Sequence, residues 1–318
     1  MNSEASRLRE ETQKAEAVIY GLSIGDALGR PVEFLSYQQI IDCYGRKGII
    51  DLPKGGMYTD DTQLSIAVAE ALISAGDKDL ETYMSALFKQ LVKWYRSPDN
   101  NRAPGQTCLK AVGHMEEGLH WKKSGIPHSR GCGSAMRSSP LGYFFESEPY
   151  LMERYAYATG VCTHGHPAAV AASIGQAYLV KLALEKTRPI DMIPKLLSFT
   201  NGISDDFDHI INKMKDLLYW ENQKEAIDHI GSGWDGDEAV ALCLYCFIKN
   251  SDDYEKAIIR GANIDGDSDS IASMTGALTA SYLGIESIPE RWVRSVENST
   301  YLKELAFRLA QKKVETFF

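Results

Sequence analysis

Two groups of oxygen-bearing side chains, far apart in the chain, are crowded enough to do chemistry. The first is Thr59-Asp60-Asp61 and the second is Asp265-Gly266-Asp267-Ser268-Asp269-Ser270. Each is followed by an apolar run with few charges, LSIAVAEAL and IASMTGALTASYLG. Carboxylates gathered at the end of a buried helix repel one another and stay charged only around a cation. Oxygen donors with no His or Cys pair beside them suit a hard ion, Mg²⁺ or Mn²⁺, rather than zinc. Helix capping accounts for one side chain in each cluster; the surplus carboxylates need another partner. Asp265, Asp267 and Asp269 have the 1-3-5 spacing of a calcium-binding EF-hand loop. Ser270 then stands where that loop requires Gly, and Gly276 where it requires Glu, so an EF-hand is rejected.

Two more segments carry weaker signals. In Gly131-Cys132-Gly133-Ser134-Ala135-Met136-Arg137, small residues let the backbone approach a ligand, and exposed amides in such a turn can hold phosphate oxygens. No Gly-Lys-Ser/Thr follows, so it is not a Walker loop. A tight turn without a ligand explains the segment equally well. Cys162-Thr163-His164-Gly165-His166-Pro167 offers two histidines but no third soft ligand. A histidine face for an adenine or a ribose, or a plain helix-start loop, suits it better than a metal.

The elements that must position these groups read as helices. Helical periodicity dominates and strand alternation is scarce. The pattern predicts helix starts near residues 4, 36, 62, 79, 105, 150, 167, 189, 206, 236, 253, 270, 289 and 300, with Pro167, Pro189 and Pro289 in first turns. Gly21, Gly25 and Gly29 fall on one helix face. Each costs about 1 kcal/mol relative to Ala in a helix interior, a cost offset if another helix packs there at short range. The alternative is an irregular segment. Pro and Gly are spread evenly and no fixed-period repeat is visible, which argues against a solenoid and for one all-α domain over residues 1–318.

Bulk properties narrow the class. The 318 residues carry a formal net charge of −9, with 44% hydrophobic and 24% charged side chains. This is a globular composition, and its acidity argues against a general nucleic-acid surface. An anionic small ligand stays compatible, because bound divalent cations reverse the local sign. Of six cysteines, Cys243 and Cys246 are the only close pair; buried apolar positions on a helix explain them better than a structural zinc. The charged N-terminus lacks a signal core, and no stretch approaches a membrane span of about twenty apolar residues. A cytoplasmic monomer with no membrane partner is the expectation.

Taken in order, GLSIGDALGRPVEF, YTDDTQLSIAVAEAL, GCGSAMRSSPLG, THGHPAA, GSGWDGDEAVALCLYCF and GDSDSIASMTGAL resemble the ADP-ribosylglycohydrolase family over residues 21 to 280. The resemblance implies a compact orthogonal multi-helix bundle. It implies two Mg²⁺ or Mn²⁺ ions held by Thr59, Asp60 and Asp61 with Asp267, Asp269 and Ser270. Asp60 and Asp267 would thereby be essential to turnover. Glu33 matches a glutamate near the metals that acts as ligand or flap, and it or Asp99 would carry a proton. Asp99 lies where relatives cleaving ADP-ribosyl-arginine place a carboxylate. Gly131, Cys132, Gly133, Ser134, Ala135 and Met136 match a pyrophosphate-holding loop, and His164 a residue near the ADP-ribose. Asp265, where relatives often carry Gly, is a departure. The implied activity is removal of ADP-ribose from modified proteins, with arginine the expected linkage. The alternatives are serine-linked, nucleic-acid-linked or free ADP-ribose derivatives, a pyrophosphate-cleaving activity, or a binding protein without catalysis.

Overall fold

The computed structural model describes residues 2–76 and 79–318. Its regular structure is seventeen α-helices and four short 3-10 turns; among the described residues there is no strand, only two isolated bridges. Helices start at Tyr37, Asp60, Leu80, Gln106, Pro149, Pro167, Asp205, Gly236, Tyr254, Ser268, Glu290 and Ser299, each within two residues of its expected position. At Pro189 the chain makes a 3-10 turn first, and the α-helix begins at Met192. Three helices were not expected: Trp121–Ser124, Ser139–Phe144 and Gln223–Ile230. All are at most eight residues long, too short to show an apolar period.

The glycine stripe explains how the two acidic clusters come together. Gly21, Gly25 and Gly29 lie on the long N-terminal helix, Asn2–Gly29, which packs antiparallel against the helix Ser268–Leu283. A Cβ at Gly25 would sit 2.1 Å from the Ala272 carbonyl oxygen, and one at Gly29 would sit 2.5 Å from that of Ser268. Gly21 faces Gly276 in the same way, at 2.5 Å. Two backbones in direct contact leave no room for side chains, which is why glycine is tolerated here despite its helix cost. The contact carries the end of the first helix, with Asp26 and the following Glu33, to the start of the second, with Asp267 and Asp269.

The Ser268 helix stands between two apolar clusters. Ala272, Ala277 and Ala280 face a core shared with the N-terminal helix, the Asp60–Ala75 helix and the C-terminal helix Ser299–Phe317. Ile271, Met274 and Leu278 face a second, built largely by the helices Pro167–Leu184, Asp205–Leu217 and Gly236–Lys249. The Pro167–Leu184 helix corrects one expectation. By length and composition it is apolar enough to cross a membrane, yet nearly all of it is buried against these cores. Its hydrophobicity is that of a central helix surrounded by protein on all sides.

Candidate active site

Both acidic clusters sit in first turns. Thr59 is the N-cap of the Asp60 helix and Asp267 that of the Ser268 helix. Asp60, Asp61, Asp267, Asp269 and Ser270 are almost fully buried and line one cleft of about 190 Å³ together with the half-buried Glu33. Oxygen atoms of Glu33, Asp267 and Asp269 lie within 4.8 Å of one another. Two helix N-termini pointing at the same place favour anions there, but not enough to settle five carboxylates. Burial and then Asp269 push Asp60, Asp61 and Asp267 well above the usual carboxylate range. Burial also raises Asp269. Glu33 goes up to about 10, through burial and then Asp269, Asp267 and Asp60.

A buried oxygen with nothing to bind tests whether the cluster fits a cation. Asp61 Oδ1 is inaccessible and has no hydrogen-bond partner. An orphaned carboxylate oxygen among like charges is costly unless a cation takes its lone pair. The donor set of carboxylates and hydroxyls suits an oxygen-seeking divalent ion. Thr59 is buried behind the lining, its hydroxyl 2.9 Å from Asp26 Oδ1 and 3.3 Å from Asp61 Oδ2.

Asp26 is the residue that sequence reasoning missed. It is fully buried and accepts from the amides of Thr59 (2.9 Å) and Thr62 (2.9 Å) and from the hydroxyls of Thr59 (2.9 Å) and Thr62 (2.5 Å). Burial and Asp269 raise it to about 7. A lone Asp in an apolar helix, between Gly25 and Gly29, was the available signal.

The glycine loop forms the opposite wall. Gly131, Cys132, Gly133 and Met136 line the cleft, whereas Ser134 and Ala135 are buried behind it, with Ser134 Oγ donating to the Ala169 carbonyl (3.0 Å). The Cys132 amide is used by the Trp234 carbonyl (3.0 Å), and those of Ala135 and Met136 by the Cys132 carbonyl (2.7 and 3.1 Å). Gly131 and Gly133 are the two glycines of the lining, packed close against His164. A Cβ on Gly133 would come within 2.9 Å of both Cys108 Sγ and His164 Cε1. The Cys132 thiol reaches Asp267 Oδ2 at 2.7 Å, tying the loop to the second acidic cluster.

His164 lines the same cleft, buried, with Nδ1 2.8 Å from Thr163 Oγ1. Burial and then Arg137 push it down to about 3, so the ring is neutral at physiological pH. Arg137, fully buried, holds the Gly133 carbonyl, the Thr159 carbonyl (2.6 Å) and Thr163 Oγ1 (2.7 Å) with its guanidinium. It thereby ties loop and histidine together. At the rim, Phe34 stacks on Trp234, with centroids 5.2 Å apart and planes at 16°. Phe34 has a left-handed backbone, φ +66°, and immediately follows Glu33.

Asp99 is not brought to this cleft. It is exposed and lines a separate groove with Gln63, Trp94 and Tyr301. The loop's connection to the cluster is instead the Gly105 amide, which donates to Asp60 Oδ2 at 3.4 Å. Asp265, the departure noted above, also lies apart: it accepts from the Tyr37 amide (2.5 Å) and pairs with Lys224 (3.4 Å).

Fold and site together define an all-α protein with a buried cluster of carboxylates facing a glycine loop. Residues 7–316 match the family model for ADP-ribosylglycohydrolase, and the chain belongs to that family, hydrolases acting on ADP-ribosylated substrates. It is 30% identical to an uncharacterized protein of Archaeoglobus fulgidus, over 93% of this chain and 96% of that one. It is 27% identical to the ADP-ribosylarginine hydrolase Tri1 of Pseudomonas putida, over 93% of this chain and 77% of that one. Among solved structures, a chain of an ADP-ribosylglycohydrolase-related protein complex superposes with a TM-score of 0.77 at 23% identity. The superposition covers 96% of this chain and 99% of that chain, and it supports the shared fold.

Proposed function

We propose that this chain is a hydrolase, dependent on two Mg²⁺ or Mn²⁺ ions, that releases ADP-ribose from arginine side chains of modified proteins. The observation that carries the reading is the carboxylate cleft, with the partnerless Asp61 Oδ1 within it. The arginine linkage draws on the likeness to an ADP-ribosylarginine hydrolase. A single-domain monomer in the cytoplasm completes the reading; all six cysteines are free.

Thr59, Asp60, Asp61, Asp267, Asp269 and Ser270 would hold the ions. Bound there, divalent ions polarise ligand oxygens and activate water near neutral pH. The remaining work falls to the protein's own groups. Gly131 and Gly133 give the pyrophosphate close access to backbone, and neutral His164 offers a ring nitrogen to the ligand without adding charge. Glu33 is the half-buried carboxyl at the edge of the same cleft. It would hand a proton to the departing guanidine nitrogen. Positive charge developing on the ribose is stabilised by the anionic carboxylates.

The test is ADP-ribose release from an arginine-ADP-ribosylated protein, with Mg²⁺ or with chelator, beside a serine-linked substrate. Asp60→Asn and Asp267→Asn are the controls. Release from the arginine substrate, abolished by chelator and by either variant, is expected. Release from serine alone would overturn the linkage; full activity in either variant would overturn the site.

A further inference from the structure

We infer that Asp26 is a positioning residue for the metal centre: from the neighbouring helix it caps the Asp60 helix and turns the Thr59 hydroxyl so that a lone pair is left for a cation. The inference rests on the proposed metal-dependent reading. A helix start has orphan amides, ordinarily satisfied by its own N-cap side chain. Here Thr59 Oγ1 makes only a long bond to the Asp61 amide (3.3 Å), while the Thr62 amide goes to Asp26 Oδ2 at 2.9 Å. The cap is therefore supplied largely by Asp26, and Asp60 and Asp61 are released to point into the cleft.

The direction of the Thr59 proton follows from the same geometry. Its hydroxyl has one hydrogen and three carboxylates around it: Asp26 Oδ1 at 2.9 Å, Asp61 Oδ2 at 3.3 Å, and Asp269. The Thr59 and Thr62 amides can only donate, so both Asp26 oxygens serve as acceptors, and Oδ1 is the nearer acceptor for the Thr59 hydrogen. One lone pair accepts from the Asp61 amide, and the other is left for a cation. Each Asp26 oxygen meets both an amide N–H and a hydroxyl. An Asn there must set its NH₂ against one of those amides, and the adjoining hydroxyl must reverse to accept from it. Outer groups that orient ligands in this way are worth about 10- to 100-fold in metal affinity.

The experiment titrates Mn²⁺ into metal-free protein and reads the free ion by electron paramagnetic resonance, beside melting in chelator. Native protein, Asp26→Asn, Thr59→Val and the double variant are compared. Asp26→Asn should weaken Mn²⁺ binding by about 10- to 100-fold while the chelated protein still folds and melts cooperatively, at a lowered temperature. The double variant should lose less than the sum of the single losses, because one residue acts through the other. Unchanged affinity in Asp26→Asn, additive losses, or an affinity loss matched by collapse of the chelated fold would each overturn the inference. No Mn²⁺ binding by native protein would overturn the metal reading itself, and this inference with it.

Discussion

At the scale of single residues, the structure separates carboxylates that line the cleft from those that merely lie near them in sequence. Asp60, Asp61, Asp267, Asp269 and Glu33 converge; Asp99 and Asp265 do not. The loop holding Asp99 is anchored through Arg102, which bonds the Tyr58 carbonyl (3.1 Å) and pairs with Glu297, and Asp99 stays in solvent. Asp99→Asn should therefore cost less than about tenfold in kcat/KM, against the 10²–10⁴ typical of a lost general acid or base. Glu33→Gln, at the cleft, should fall in that larger range. Steady-state kinetics on the arginine-linked substrate checks both; a large loss in Asp99→Asn with native-like Glu33→Gln would exchange their roles.

At the scale of elements, most of the fold was legible because long amphipathic or apolar helices announce themselves by period and by capping residues. The acidic clusters were legible because Asp and Ser at helix starts exceed what a cap requires. What stayed hidden were relations across helices. Nothing local says that Asp26 caps a helix other than its own, or that Arg137 joins a glycine loop to His164. Ser134 and Ala135 share a motif with Gly131 and Gly133, yet the 3-10 turn Cys132–Ser134 rotates them behind the wall. The glycine stripe was the one long-range contact the sequence did show, and it can be tested. Gly25→Ala places a methyl 2.1 Å from a backbone oxygen that cannot rotate away. The two helices must separate, at a cost of about 3 kcal/mol, the upper end for overpacking. Because Asp26 and Glu33 ride on that contact, Mn²⁺ affinity should fall along with stability. Urea unfolding beside metal titration measures both; a stable variant with native affinity would show that the helices do not need this approach.

At the scale of the whole molecule, the other end of the N-terminal helix is held by charge. Lys313 of the C-terminal helix is 1% exposed, with its ammonium 2.7 Å from both Glu11 and Glu146; Lys14 lies 3.1 Å from Glu11. Burial alone would raise Glu11, but Lys313 and Lys14 outweigh it and hold the carboxyl below its usual value. A depressed acid stabilises the fold above its unfolded value, here 4.5, and that contribution is lost as pH falls through the lower folded value. Lys313→Met leaves Glu11 buried with only the partly exposed Lys14, and should cost roughly 3 kcal/mol at pH 7. The deficit should shrink as pH falls below 4.5, because a protonated Glu11 no longer needs its partner. Denaturant unfolding across that range separates charge from packing: a deficit equally large in acid would mean that the lysine's stem, not its ammonium, holds the helices together. Mn²⁺ affinity should change little, since the glycine stripe fixes the far end independently. Coupled loss of affinity would show instead that the N-terminal helix moves as a rigid rod between its two clamps.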